Sequence, residues 1–149
     1  MQLAVAREAT VVATAGPTSS ERVRGYGAYL VFDYHDPDWP ARVRDASSGA
    51  GGIAAAVNAA RGDAATALGA VVDGGRLATI TGAPPPAERG IGIANVYIRP
   101  DGDQLRLLAA SLADGKFHVD IDASYPLTGA AEGLARATKG ARAAVVLEP

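Results

Sequence analysis

Cysteine is absent from the chain, which excludes disulfides, thiolate nucleophiles and cysteine-ligated zinc. Histidine is nearly absent. His35 and His118 stand far apart and lack HExxH-type spacing, so no metal is expected. An excess of positive charge is missing too: 14 Lys and Arg face 16 Asp and Glu, for a net charge of −2. The cations form no basic stripe, so no nucleic acid is expected as a partner. Nor is there a long apolar run. MQLAVAREATVV at the N-terminus is interrupted by Arg7 and Glu8. It is too short and too charged for a membrane span or the core of a signal peptide, so the expectation is no membrane and a cytoplasmic location.

Aromatic residues are scarce, at 5%, whereas apolar residues reach 48% and rest mainly on Ala and Val, beside 18 glycines. Small side chains allow helices to approach a sheet closely but bury little area each, so a tight and modest core is expected. A length of 149 residues suits one domain, 1–149.

Along the chain β and α signals alternate. QLAVAREA (2–9) reads as helical turns, and VVATA (11–15) as a β-branched strand stopped by Gly16-Pro17. TSSERVRGYG (18–27) predicts a helix with Thr18 as N-cap and Glu21 three residues on. LVFDY (30–34) is a strand, and Asp38 is placed to cap WPARVRDAS, with Pro40 in its first turn. IAAAVNAA (53–60) is apolar without alternation, which predicts a parallel strand buried on both faces.

A helix follows over 63–72, then a turn at Asp73-Gly74-Gly75 and a strand in RLATITG (76–82). APPPAERG reads as a loop, and IGIANVYI (91–98) as a strand stopped by Arg99-Pro100. DQLRLLAASLADG (103–115) is amphipathic, with Leu105, Leu108, Ala109 and Leu112 on one face. KFHVDID is a short strand, a helix enters from Pro126, and AAVVLEP (143–149) closes as a strand. Such alternation predicts an α/β fold: a mostly parallel sheet with right-handed crossovers and flanking helices.

VVATAGPTSSERVRGYGAYLVFDY, IAAAVNAARGDAATALGAVVDGGRLATITG, NVYIRPDGDQLRLLAASLADGKFHVDIDASYPLTGAAEGLARA and GARAAVVLEP follow one another in order. The set resembles the C-terminal, nucleotide-binding half of zinc-independent medium-chain dehydrogenases/reductases of the quinone-oxidoreductase and enoyl-reductase type. The likeness covers nearly the whole chain, with 117–149 matching the family's tail. It implies a Rossmann-like sheet of order 3-2-1-4-5-6, in which VVATA is the second strand. The family's first strand, its glycine-rich turn and its N-terminal catalytic domain would precede Met1, so a truncated domain is expected. Loss of a central strand would leave unpaired backbone between VVATA and IAAAVNAA. Direct pairing, a swapped element or a strand from a partner would have to close that gap.

By the same resemblance, Thr18, Ser19 and Arg22 fall where the adenosine ribose or its 2′-phosphate is held, and Tyr34 falls near the adenosine. No Asp or Glu ends VVATA, so NADP(H) is implied over NAD. The plainer alternative is that Thr18 caps a helix and Arg22 faces solvent. Asn58, Thr81 and Gly82 lie at strand ends, where α/β sheets bind ligands, though Asn58 serves a structural role equally well. Tyr97 and Arg99 match the segment that approaches the nicotinamide, or Arg99 merely ends a strand.

Two polar clusters stand outside that set. His35 lies among Asp33, Asp36 and Asp38 and is a candidate base, imidazole having an ordinary pKa of about 6.5. A solvated turn accounts for the same residues. His118, Asp120, Asp122 and Tyr125 are acid/base candidates should the fold enclose a new cavity, and otherwise form a solvent-facing strand. The Ser19-Ser20 and Ser47-Ser48 pairs lack the GxSxG setting of a nucleophilic serine.

The expected function is therefore a truncated NADP(H)-dependent oxidoreductase-type domain. Its cofactor binding would be weak, lost, or dependent on a complementing N-terminal half. One alternative is a cofactor-independent cyclase, dehydratase or isomerase acting on a small apolar metabolite. Another is a dimeric structural module. In the family the NVYIRP region extends the sheet across a dimer, so a homodimer through 91–98 is expected.

Overall fold

Strand and helix alternate throughout the computed structural model, which describes residues 1–47, 49–60, 64–80 and 82–149. Ser48, Asp63 and Thr81, each part of a sequence-based expectation, lie outside the described residues. The elements are α1 (Gln2–Val5), β1 (Val12–Thr14), α2 (Ser20–Gly25), β2 (Leu30–Phe32), α3 (Trp39–Ala46), β3 (Ile53–Asn58) and α4 (Ala65–Leu68). β4 (Val71–Thr79), β5 (Gly92–Asn95), α5 (Gly102–Ala113), β6 (Ile121–Pro126), α6 (Ala130–Thr138) and β7 (Ala144–Glu148) complete them. This is the expected α/β succession, and each strand pair is parallel.

Two compact units divide the chain. The first holds Met1 and Thr10–Pro100, and the second Gln2–Ala9 with Asp101–Pro149. In the first unit β1 pairs with β2, and separately β3-β4-β5 form a three-stranded sheet. Among the described residues β1 and β3 do not pair with each other. The gap left by the order 3-2-1-4-5-6 is thus not closed by direct pairing. The described strands of this unit form two separate sheets, β1-β2 and β3-β4-β5, rather than one continuous sheet.

Among the described residues β3 pairs only with β4, and its expected burial on both faces is overturned by the burial of its side chains. Ala54 and Ala55 are exposed, and Val57 is 71% exposed. An apolar strand is buried only where something covers it, and here Ile53 and Ala56 alone of its apolar residues pack against the core.

The core of this unit is Leu68, Val71, Leu77 and Ile91, with Ile53, Ala56, Ala67 and Ile93 packed against it. Leu77 is 1% exposed, a burial that stabilises by about 2 kcal/mol. The Asp73-Gly74-Gly75 turn is instead a bulge inside β4: pairing with β3 passes from Ile53↔Val71 to Ala55↔Arg76. Gly75 allows the strands to close there. A Cβ on it would stand 2.6 Å from Val71 Cγ1 and 2.8 Å from the Ala54 carbonyl oxygen.

Two guanidinium groups satisfy the carbonyls where α4 runs into β4. Arg44 donates to Gly69 O at 3.3 Å and Val71 O at 3.1 Å. Arg89 donates to Val71 O at 3.0 Å, to the Asp73 carboxylate at 2.8 Å and to Leu68 O.

Other expectations are adjusted by local chemistry. Ser19, not Thr18, occupies the N-cap position of α2, and its hydroxyl donates to Gly16 O at 3.2 Å rather than accepting from the helix. β5 ends at Asn95, so 96–98 lie outside the strand. The helix expected over 63–72 narrows to Ala65–Leu68, because Val71 and Val72 join β4.

In the second unit β6 pairs with β7 and α6 lies against them. α5 buries none of its residues, so the leucine face expected of it stays open. The side-chain amide of Gln2 donates to His118 O at 2.9 Å and accepts from His118 N at 3.0 Å, tying the N-terminal turn to the start of β6.

Candidate functional site

The carboxyl ends of β1 and β2 lie side by side because the strands are parallel and paired from Val12↔Leu30 to Thr14↔Phe32. The chain leaves β1 through buried Ala15 and Gly16, then turns into α2 with hydroxyl-to-carbonyl bonds from Ser19 to Gly16 and from Ser20 to Pro17. From β2 it continues into Asp33, Tyr34 and His35. A Cβ on Gly16 would sit 3.3 Å from Tyr34 Cε1, and 3.4 Å from both Tyr34 Oη and His35 Cε1. Gly16 therefore forms a floor that only a residue without a side chain fits comfortably.

Above that floor the Tyr34 and His35 rings lie 4.1 Å apart, tilted by 33°. Thr18 is exposed at the turn, while Ser19 and Arg22 are half-buried. Tyr34 is exposed over about half its surface, although its ring packs on His35. Of the sequence candidates, Ser19 and Tyr34 are brought together here through Gly16, with His35 beside Tyr34, while Thr18 lies in the turn and Arg22 follows on α2.

A His–Asp hydrogen bond and an Arg–Asp ion pair order the loop that follows. His35 Nδ1 lies 2.7 Å from Asp33 Oδ1, and Arg42 donates to Asp36 at 2.7 Å. The His35 backbone and side-chain hydrogen bonds hold the Asp33 carboxyl below its ordinary range. Arg42 does the same for Asp36, helped by the Asp38 N–H. The Arg42 guanidinium also lies 5.5 Å from the Phe32 ring centroid, a cation–π contact at the end of β2.

A second group of polar residues occupies the carboxyl ends of β3, β4 and β5. Register aligns Asn58, Thr79 and Asn95 in one row across the sheet. Beyond the row lies an open groove of about 620 Å³, lined by Ile80, Gly82, Ala83, Pro84, Asn95, Val96, Tyr97 and Ile98. Gly82 and Tyr97 meet there. Arg99 follows in the irregular segment after β5, and Thr81 is outside the described residues.

Thr79 and Asn95 escape a reading of the sequence by strand ends alone, since RLATITG places the end of its strand three residues later. Thr79 is fully buried, and among the described residues its hydroxyl has no hydrogen-bond partner. The two-residue period that buries Leu77 also turns Thr79 inward, a signal the sequence did offer.

The acid/base candidates of the second unit are engaged differently. Asp122 sits at a shift of register between β6 and β7 and receives Arg136 Nε and Nη2, both at 2.7 Å. That fork holds its carboxyl below the ordinary range. His118 Nε2 stands 3.7 Å from Asp120 Oδ1, ahead of β6. Tyr125 packs beneath α6, where a Cβ on Gly133 would lie 3.3 Å from its ring. Asp122 is thereby a clasp between strand and helix.

Residues 26–144 match the model of a family described as zinc-binding dehydrogenase. Among solved structures the chain is similar to an NAD-dependent alcohol dehydrogenase, with 25% identity and a TM-score of 0.82 over 99% of this chain and 46% of that one. It is similar to a mycobacterial quinone oxidoreductase, with 21% identity and a TM-score of 0.82 over 99% and 51%. A cyclopropanase from the curacin A biosynthetic pathway matches at 17% identity and a TM-score of 0.72 over 99% and 50%. The chain thus spans about half the length of the solved chains it matches. No curated protein matches it.

Proposed function

The chain belongs to the zinc-binding dehydrogenase family, and from that membership we propose that it holds the adenosine end of NADP(H) in a reductase, with an affinity that depends on a complementing segment. The Gly16–Tyr34 corner carries this reading. It is a close-packed floor with an open aromatic ring beside it, at the carboxyl ends of adjacent parallel strands, where such sheets bind nucleotides. The β1 run ends in Ala15-Gly16, without the carboxylate that would clasp a ribose diol, and Arg22 on α2 offers positive charge to a 2′-phosphate.

Pyrophosphate is ordinarily held by a glycine-rich turn that follows the first Rossmann strand. That β1 and β3 belong to separate sheets among the described residues supports a place for such a strand between them. A segment that fills it would pair both free edges and bring the turn with it. When bound, the cofactor would supply hydride, while Asn58, Gly82 and Tyr97 line the path of its nicotinamide end. The unpaired outer edge of β5, with exposed Val96, Tyr97 and Ile98 next to it, is where a second copy would extend the sheet into a dimer.

Zinc does not fit the residues present. The chain has no cysteine, and among the described residues no three His, Asp or Glu side chains gather into a ligand set. No step is assigned to a metal.

Titration of the 149-residue protein with NADPH, followed by nicotinamide fluorescence, tests the reading. Expected is weak, high-micromolar to millimolar binding that falls further in Arg22→Ala and Tyr34→Ala. Tight binding by the chain alone would overturn dependence on another segment. Absence of binding at millimolar NADPH, or binding indifferent to both substitutions, would remove the corner from the cofactor site.

A further inference from the structure

The parallel pairs β1–β2 and β3–β4 are each joined through a helix. The connection from β4 to β5 instead carries GAPPPAERG (82–90), with no helix among its described residues. Among the described residues no N–H from 83 to 88 donates to another backbone group. Three consecutive prolines have no N–H to give, and their fixed φ favours a stiff, extended polyproline rod. Such a segment keeps its shape by stiffness and its place by its ends.

Arg89 makes the downstream end fast. Its Nη1 donates to Val71 O at 3.0 Å and to Asp73 Oδ1 at 2.8 Å, and Nη2 donates to Leu68 O. Nε completes the set toward Glu88 Oε1 at 3.5 Å. The Arg89 carbonyl accepts from Gly74 N at 3.0 Å, and Ile91 N donates to Glu88 O at 2.8 Å. Leu68, Val71 and Ile91 belong to the buried core, so the anchor is set in well-packed structure. Arg89 has φ of +49°, a left-handed conformation that glycine adopts freely and other residues only at a cost. That cost is offset by bonds that only its side chain can make.

The upstream end reaches the groove beyond β4 and β5. Gly82, Ala83 and Pro84 line it together with Asn95, Tyr97 and Ile98, whereas Arg89 does not. We propose that Arg89 is a positioning residue for this groove. Through the proline rod it sets where Ala83 and Pro84 stand relative to the strand end at Asn95. The proposal rests on the reading that the nicotinamide end of the cofactor passes Gly82 and Tyr97. It assigns control of that wall to a side chain outside it. With Arg89 released, the wall has to be ordered when the ligand binds, and affinity falls for the nicotinamide end alone.

The chain lacks cysteine, so a nitroxide on Ala83→Cys labels the tip of the rod and nothing else. With Arg89 present, the label should broaden the NMR signals of Asn95 and Tyr97. Arg89→Gly relieves the backbone as it removes the anchor, and much of that broadening should be lost. Without the label, NADPH should bind Arg89→Gly about threefold more weakly than wild type. Adenosine 2′,5′-bisphosphate, which has no nicotinamide, should bind both alike. Pro85→Gly leaves the anchor and softens the rod; it should have the same two effects, and it decides the matter if Arg89→Gly does not fold. Broadening that survives in the folded variants overturns the anchor. Broadening that is lost while both nucleotides weaken equally, or neither weakens, overturns the positioning role. If wild type binds the bisphosphate but not NADPH, the groove is no nicotinamide site and the role of Arg89 falls, with the adenosine corner left standing. If it binds neither, the cofactor reading falls as well.

Discussion

The two units are built from the same vocabulary of parallel strands and covering helices, yet they are held together differently. Every fully buried apolar side chain among the described residues belongs to the first unit, from Ala15 to Ile91. In the second the one buried position is Gly133, where α6 comes close enough that a Cβ would lie 3.2 Å from Leu147 Cδ2. Val119, Ile121, Leu127 and Leu134 are exposed, while Phe117, Val145 and Val146 are half-buried. Strand pairing and helix placement are thus reached there with far less apolar burial. In the second unit the backbone ladder, the Gln2–His118 exchange and the Asp122–Arg136 fork take the place of apolar burial.

The largest expected effect separates the two directly. Leu77→Ala deletes a side chain that is 1% exposed and should cost about 3 kcal/mol. Trp39, on α3 of the first unit, reports that unfolding by its fluorescence in denaturant. Leu134→Ala removes the same atoms from a side chain that is 70% exposed and should cost less than about 0.5 kcal/mol. Equal costs, with unit-two unfolding read by amide exchange, would mean that Leu134 is covered in solution and the contrast between the units is false.

A smaller effect runs in the opposite direction. Thr79 buries a hydroxyl in the core with no partner among the described residues. Replacing it by valine keeps the shape and removes the desolvated group, so Thr79→Val should raise stability by about 1 kcal/mol. In the second unit Thr138 donates to Leu134 O at 2.8 Å on an exposed helix, and Thr138→Val should change stability by less than about 0.5 kcal/mol. Destabilisation by Thr79→Val in chemical denaturation would show that the hydroxyl is satisfied.

These contrasts also mark how far the sequence could be read. The succession of elements was legible because strands and helices announce themselves locally: VVATA before Gly16-Pro17, and the apolar spacing of DQLRLLAASLADG, whose cap at Asp101, accepting from Gln104 N at 2.9 Å, comes from the structure. Neighbours were not legible. The run 53–60 is apolar enough for burial on both faces, but side-chain chemistry does not say that β3 has a single partner strand. Gly74 has φ of +73°, which suits a turn and a bulge equally, and the register between β3 and β4 decides for the bulge. Thr18, Ser19, Arg22 and Tyr34 were named from a resemblance. That Gly16 lies under Tyr34 depends on β1–β2 pairing, which no local pattern encodes. The leucines of α5 have the spacing of a buried face, yet among the described residues none is fully buried and Leu108 alone is half-buried.

The least of the expected effects tests the clasp that replaces a core. The Asp122 side chain is 10% exposed, and Arg136 reaches one of its oxygens, Oδ2, through two nitrogens. The Arg136 hydrogen bonds lower its carboxyl pKa on folding. A group lowered in this way contributes stability that is present above its unfolded value, about 3.9, and is lost as pH falls through the folded value. Protection of the α6 amides from exchange should thus decline from about pH 5 to about pH 3, once the intrinsic pH dependence of exchange is divided out. Asp122→Asn should begin with the lower protection and show little further decline, so the two proteins converge in acid. Protection of the β4 amides should be indifferent to the substitution, because their protection follows from the Leu77 core rather than from a charge. If α6 protection is the same in both proteins at every pH, the fork contributes nothing, and the ladder between β6 and β7 alone holds the second unit.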